Sequence, residues 1–328
     1  MPNFISSVTK DTLRNVQRVE PSACLAARKA WSLTGCGYAG EPRLKIVKQQ
    51  IRWSFAAALH GKAALEWFNI LQTPEMSLFA TLNPRLALKP FRVYISNKWG
   101  IERKIKVITD TYTFIRACSS PLQDALVRPE GINLAQLTLA HDSDVRVILR
   151  YENTYRKEGE LVVSLWTPAT GFIISLAFSF EQMHGGEWAM YIGCIQGRTG
   201  IDNKPISKAM HGLWPRVFIV FAIQEIARAV GVHRIFGVGN AIHSYRNKHI
   251  IHIPSRHAVT FDYDSLWTEV DGSISEEGWF DIPLQLQRRP YDDMKSNKRA
   301  MYNRRYGMLD DISTQIQSAL SPDRHPTQ

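Results

Sequence analysis

From Pro42 to about Cys118, apolar residues recur at every third or fourth position. "LKIVKQQIRWSFAAALHGKAALEWFNIL" is the clearest example and "LALKPFRVYISNKWGIERKIKVITDTYTFIRAC" a looser one. That spacing predicts helices. From Asn133 the period changes to two. The segments "NLAQLTLA", "VRVILRY", "ELVVSLWT", "GFIISLAFSF" and "EWAMYIGCI" are rich in Val, Ile, Leu and aromatics, and "HDSD", "RKEG", "PATG" and "MHGG" separate them. Strand-type runs joined by short turns predict an antiparallel meander. The next connection is long and helical. It runs from Ile206 to Val230, has Gly231 as a C-terminal stop and Pro215 as a kink or a break between two helices, and is followed by the strand-like "HRIFGVGN". Helical crossovers join parallel strands, so Glu187–Ile195 and His233–Val238 are predicted to be parallel neighbours with diverging C-terminal ends. Met294, Met301 and Met308 recur at seven, with Tyr302, Leu309 and Ile312 beside them. "MKSNKRAMYNRRYGMLDDI" therefore reads as a helix with an apolar stripe. The expected class is α+β: a helical region over 1–125, then a mixed, mainly antiparallel sheet domain with a long helical crossover over 126–328.

At 328 residues with 45% hydrophobic content, the chain can bury a sizeable core. Its longest apolar candidate, Val217–Ile223, is far shorter than a membrane span and stops at Gln224 and Glu225. The opening "MPNFISSVTKDTLRNVQRVE" lacks the apolar segment of a secretory signal, so the expected location is cytoplasmic. Cys24, Cys36, Cys118 and Cys194 form no CxxC pair and read as separate thiols. Forty Lys and Arg against thirty Asp and Glu give a formal charge of +10, which favours anionic partners. Seven of those bases lie between Arg288 and Arg305, against Asp292 and Asp293 alone.

The chemistry-bearing residues fall in a few places. Gln196, Gly197, Arg198 and Gly200 follow a predicted strand and approach a helix, where backbone amides and glycines suit a phosphate; a plain glycine-bearing turn is the other reading. His243, His249, His252 and His257 cluster in sequence, but no acidic or thiol partner completes a metal set, and no metal is expected. Asp262 and Asp264 alternate along a segment read as a strand and would share a face. GxSxG, HExxH and Walker patterns do not occur, which takes most of the support from the usual hydrolase and nucleotidase readings. In the basic helix, Arg299, Arg304 and Arg305 suit an anion clamp, because a guanidinium fork matches phosphate geometry. The same helix would serve as a surface for acidic lipid, or less readily for nucleic acid, or simply as a solvated face.

Two resemblances follow. "KAMHGLWPRVF", "GVHRIFGVGNAIHSYR", "FDYDSLWTEVDG" and "KSNKRAMYNRRYGMLDD", spanning Lys208–Asp311, resemble the VirK/YbjX family of bacterial proteins. That resemblance implies a link to virulence and to antimicrobial-peptide resistance, with no firm reaction. Separately, "AMYIGCIQGRTG", the helical crossover and "HRIFGVGN" are similar in order to the GNAT acyltransferase fold. That resemblance implies an acyl-CoA or aminoacyl-tRNA donor held by Gln196, Gly197, Arg198 and Gly200. It further implies Tyr245 as general acid on a helix after the strand, and Asn240 and His243 as groups that orient the substrate or take its proton. In that family the glycines stand directly at the helix start, whereas "IDNKP" intervenes here. The alternative is a non-catalytic protein that binds an anionic partner through the basic helix.

Overall fold

The computed structural model describes residues 21–118, 120–139, 143–245 and 261–321. The chain divides into two compact units, the first ending at Phe91 and the second beginning at Arg92. The sequence reading places its boundary near residue 125. The units part earlier because the helix over Ile101–Ala117 packs on the sheet.

The first unit contains α1 (Ser22–Gly37), α2 (Arg43–Leu59), α3 (Gly61–Ile70), α4 (Ser77–Leu82) and a 3-10 turn at Pro84–Leu88. Small residues set its packing. Ala26, Ala30 and Thr34 of α1 and Ala57 of α2 are fully buried, so helix backbones approach closely around the larger Trp53, Trp67 and Phe68. The Trp67 indole N–H donates to the Ala87 carbonyl at 2.9 Å, tying α3 to the 3-10 turn.

In the second unit, α5 (Ile101–Ala117) and α6 (Ser120–Val127) precede the predicted meander: β1 (Ile132–Leu139), β2 (Ser143–Arg150), β3 (Leu161–Thr167), β4 (Gly171–Gln182) and β5 (Trp188–Gly197). The crossover consists of α7 (Lys204–Ala209) and α8 (Pro215–Ala229), broken before Pro215. β6 (Arg234–Val238), α9 (Tyr263–Glu269), β7 (Ser273–Ile274), β8 (Trp279–Ile282) and α10 (Ser296–Leu320) follow. Among the described residues the sheet has the order β1-β2-β3-β4-β5-β6-β8-β7. Every pairing is antiparallel except β5 with β6, where Ala189 to Ile192 run parallel to Arg234 to Gly237, as the crossover predicts.

Helices cover this sheet for identifiable reasons. α8 buries nearly its whole length, and its two interior polar residues have partners: Gln224 donates to the Pro283 carbonyl at 2.7 Å, and Glu225 pairs with Arg228 at 2.8 Å. α10 begins at Ser296, later than the sequence reading, and runs on to Leu320, so its buried stripe is Met308, Leu309, Ile312, Ile316 and Leu320. α5 covers an edge. β3 begins at Leu161 opposite Phe178, leaving the end of β4 without a neighbour on that side. Side chains of α5 replace the missing strand: Thr111 accepts from the Phe180 amide at 2.9 Å, Asp110 accepts from the Gln182 amide at 3.0 Å, and Lys106 donates to the Gln182 carbonyl at 2.7 Å.

Candidate functional site

The feature that distinguishes this sheet is a gap. The β5–β6 ladder stops at Ile192 and Gly237, while β5 continues beside β4 to Gly197 and β6 ends against β8 at Val238. A bulge between Ala177 and Phe178 leaves Gly193 unpaired on β5 at this point. The bulge needs glycine, since a Cβ at residue 193 would lie 1.9 Å from the Glu158 carbonyl oxygen. The connection between β2 and β3 thus lies directly against the bulge and delivers Glu158 to it.

Glu158 is buried and hydrogen-bonds the Tyr245 hydroxyl. Burial, then the charge of Glu158, pushes the Tyr245 phenol well above its ordinary range, so it keeps its proton at neutral pH. Lys157 lies over the Tyr245 ring, 4.8 Å from the centroid. Behind Tyr245, His243 stacks on Tyr263 at 4.8 Å, and its Nδ1 accepts from the Tyr245 amide at 3.3 Å. Tyr263 donates to the Ile195 carbonyl at 3.4 Å, meeting β5 beyond the end of its ladder with β6. A strut closes the other side. Ile95 donates to the Lys157 carbonyl at 2.7 Å, Ser96 bridges His243, and Asn97 donates to the Ile242 carbonyl at 2.9 Å. Ile95 takes φ 55°, a conformation that β-branched residues rarely adopt, so the strut is held there under backbone strain. Cys194 is also here, but burial and Glu158 raise its thiol, so it is no ready nucleophile.

The other predicted residues sit as follows. Tyr245 lies in a turn rather than on a helix, because the Ser96 bridge holds residues 241–245 irregular. Asn240 is committed to the scaffold: its amide donates to Asp264 at 2.7 Å, its side-chain NH2 donates to Asp262 at 2.7 Å, and its oxygen accepts from the Tyr263 amide at 3.1 Å. Asp262 and Asp264 belong to a helix start, not a strand; Asp262 caps α9 through the Ser265 amide. His249, His252 and His257 lie outside the described residues.

Gln196 and Gly197 end β5 opposite Ser175 and Ile174. The Arg198 amide donates to the Ile173 carbonyl at 2.8 Å, its guanidinium donates to the Thr170 carbonyl, and Gly200 takes φ 84° in the following turn. The helix after this loop, α7, has six residues, and Asp202 already accepts its Lys204 amide at 2.9 Å, a position that a phosphate would contest. In the basic segment, Arg305 donates to the His211 carbonyl at 2.8 and 3.1 Å and Arg299 to the Met294 carbonyl at 3.2 Å, while Arg304 stays exposed.

Sequence reasoning missed several participants. Glu158 and Lys157 stand in the turn "RKEG", which the sequence marks only by its polarity, about ninety residues before Tyr245, and no local spacing links them to it. The Tyr partners of the basic segment were visible as residues but not as stacks: Arg299 lies over Tyr291 at 4.3 Å, Arg305 over Tyr302 at 4.7 Å and Arg288 over Tyr306 at 5.1 Å. An aromatic platform therefore accompanies these arginines.

An α+β protein whose mixed sheet opens beside one parallel strand pair is the class that fold and site define. Within it, residues 42–318 match the model of the family described as "Protein of unknown function (DUF535)", and the chain belongs to that family. It is 28% identical over 262 residues to "Uncharacterized protein YbjX" of Escherichia coli (strain K12), covering 78% of each chain. It is also 25% identical over 284 residues to an "Uncharacterized protein" of Haemophilus influenzae (strain ATCC 51907 / DSM 11121 / KW20 / Rd), covering 84% of this chain and 92% of that one. These findings bear out the VirK/YbjX resemblance seen over Lys208–Asp311. Among solved structures, "cAMP-binding acyltransferase from Mycobacterium smegmatis" aligns at a TM-score of 0.28 with 10% identity, covering 64% of this chain and 60% of that one. A likeness at that score carries no argument. Among the described residues no helix is long and apolar enough to cross a membrane.

Proposed function

We propose that the protein transfers an acyl or aminoacyl group from a thioester or ester donor to an amine, at the gap between β5 and β6. The observation that carries this reading is the Tyr245–Glu158 pair at the point where β5 loses its parallel partner. When an amine adds to the donor carbonyl, a C–N bond forms and the adduct nitrogen carries a surplus proton. Glu158 accepts that proton. As the C–S or C–O bond breaks, the leaving group takes its electron pair and the phenol proton of Tyr245, and transfer from Glu158 back to Tyr245 restores the pair. His243 positions Tyr245 through its amide contact, and Asn240 holds the loop by donating to Asp262, the cap of α9. Gln196, Gly197, Arg198 and Gly200 remain the proposed cradle for donor phosphates, with Arg198 able to exchange the Thr170 carbonyl for a phosphate oxygen. A cytoplasmic enzyme that places amide-linked groups on envelope components would alter their charge and so their attraction for cationic peptides, which connects this chemistry to the virulence and peptide-resistance link of the VirK/YbjX resemblance.

The test is release of free thiol from acyl-CoA donors, or of free tRNA from aminoacyl-tRNA, with amine acceptors. Tyr245→Phe should lower the maximal rate by about 100-fold with donor affinity retained. Failure of CoA and of charged tRNA to bind ends the transferase reading.

The second reading is a non-catalytic anion-binding protein, favoured by the Arg–Tyr stacks of α10 and its flank. In that case Arg304→Gln weakens binding of a polyanion and flattens its salt dependence, while Tyr245→Phe has no effect.

A further inference from the structure

α2 has two apolar faces and only one of them is used. Trp53 and Ala57 are buried within the first unit, and Ile46 and Ala56 pack on the cluster of Tyr38, Trp53 and Leu88. On the other side, Leu44 is 87% exposed, Val47 40%, Ile51 60%, Phe55 66% and Leu59 67%. Spaced by three or four, these five residues form one continuous helical stripe. Single exposed apolar residues are ordinary, but five in register on a rigid helix are not. Arg43, Lys45, Lys48 and Arg52 stand exposed on the same helix, which carries no acidic residue. Residues 21–91 as a whole hold nine Lys and Arg against three Asp and Glu.

We infer that this face of α2 docks on an anionic lipid surface, with Leu44, Ile51 and Phe55 entering the acyl boundary and Arg43, Lys48 and Arg52 meeting lipid phosphates. The charge decides the occupant. A second copy of this chain would bring Arg43, Lys48 and Arg52 to the contact, where they would repel, whereas anionic lipid neutralises all three; Lys45 is already paired with Glu41 at 2.8 Å. Apolar residues bordered by Lys and Arg along one helix are the pattern of in-plane membrane helices. Here the opposite face, packed through Trp53, keeps the helix folded before it reaches the membrane.

The test is co-sedimentation of the full chain with vesicles of phosphatidylcholine alone or with phosphatidylglycerol added, together with a benzoylphenylalanine photo-crosslinker at position 51. The chain should partition onto the phosphatidylglycerol vesicles, weakly onto the neutral ones, and crosslink to lipid. The pair Ile51→Gln and Phe55→Gln, with unchanged circular dichroism and melting temperature, should lower partition about tenfold or more while transfer to a soluble amine is unchanged. Four results overturn the inference: no partition onto either vesicle, partition unchanged in the pair, a crosslink to a second copy with loss of dimer in the pair, or a crosslink to residues 1–20. Partition that is unchanged in the pair but lost in Arg304→Gln assigns lipid binding to α10 instead.

Discussion

If α5 substitutes for a missing strand, removing one of its hydrogen bonds should cost as much as breaking a ladder. Thr111 is fully buried, accepts the Phe180 amide at 2.9 Å, and shares its own proton between the Val107 carbonyl at 2.7 Å and the Phe180 carbonyl at 3.0 Å. Thr111→Val keeps the shape and removes the acceptor. Val107 retains its place in the α5 ladder, so the loss falls on Phe180, whose amide faces away from β5 and has no strand on its outer side. A buried donor left without a partner costs about 1–3 kcal/mol. For a unit of this size that is a fall of roughly 2–12 °C in melting temperature. Thr113→Val, at an exposed position on the same helix, is the control and should stay within about 0.5 kcal/mol. Urea unfolding followed by circular dichroism measures the cost, and amide exchange locates it, with Phe180 exchanging faster in Thr111→Val. A loss no larger than the control's, or a Phe180 amide protected as before, would refute the claim that the threonine completes the strand edge.

The buried Glu181 carboxyl is held above its usual range by desolvation, against the opposing pull of Arg103 at 2.5 Å and Lys106 at 3.5 Å. An acid whose folded pKa is raised binds more protons in the folded state, so this group's contribution is full below the unfolded carboxylate pKa and falls as pH rises through the folded one. Glu181→Gln should therefore flatten the pH dependence of stability in the weakly acid range, and an unchanged profile would show that Glu181 is not its source. His211 is held below its ordinary value by burial and by the charges of Arg304 and Arg305. Arg304→Gln should raise its NMR-measured pKa, and because a depressed imidazole favours the folded state only while neutral, the stability lost as pH falls through that pKa should shrink; a His211 titration that does not move removes Arg304 from its surroundings.

Periodicity made the strands legible because each of β1 to β5 is locally complete: its alternation, its turn and its neighbour lie within about twenty residues. The parallel pairing of β5 with β6 was legible from the crossover alone, since a long helix between two strands leaves few other arrangements. α9 is not legible in the sequence because Asp262 and Asp264 alternate as strand residues do, whereas the side chain of Asp262 caps a helix and Asp264 ties it to Asn240. Capping by Asp and alternation in a strand look alike over three residues. The gap behaves differently again. The GNAT resemblance points to Tyr245 by its place after β6, but the environment of this residue is assembled from Lys157, Glu158, Ile95 and Tyr263, which come from three separate stretches of chain. Sequence spacing carries information only where one element imposes a period, and none spans these three stretches. The strain at Ile95 is likewise invisible in sequence, since a buried isoleucine at φ 55° is set by its contacts with Lys157 and, through Ser96, with His243 rather than by its own preference. The glycine at 193 is the exception that could have pointed to the site: a lone Gly inside an otherwise bulky strand marks a bulge or a close backbone approach, and both occur here, with Glu158 as the group that approaches.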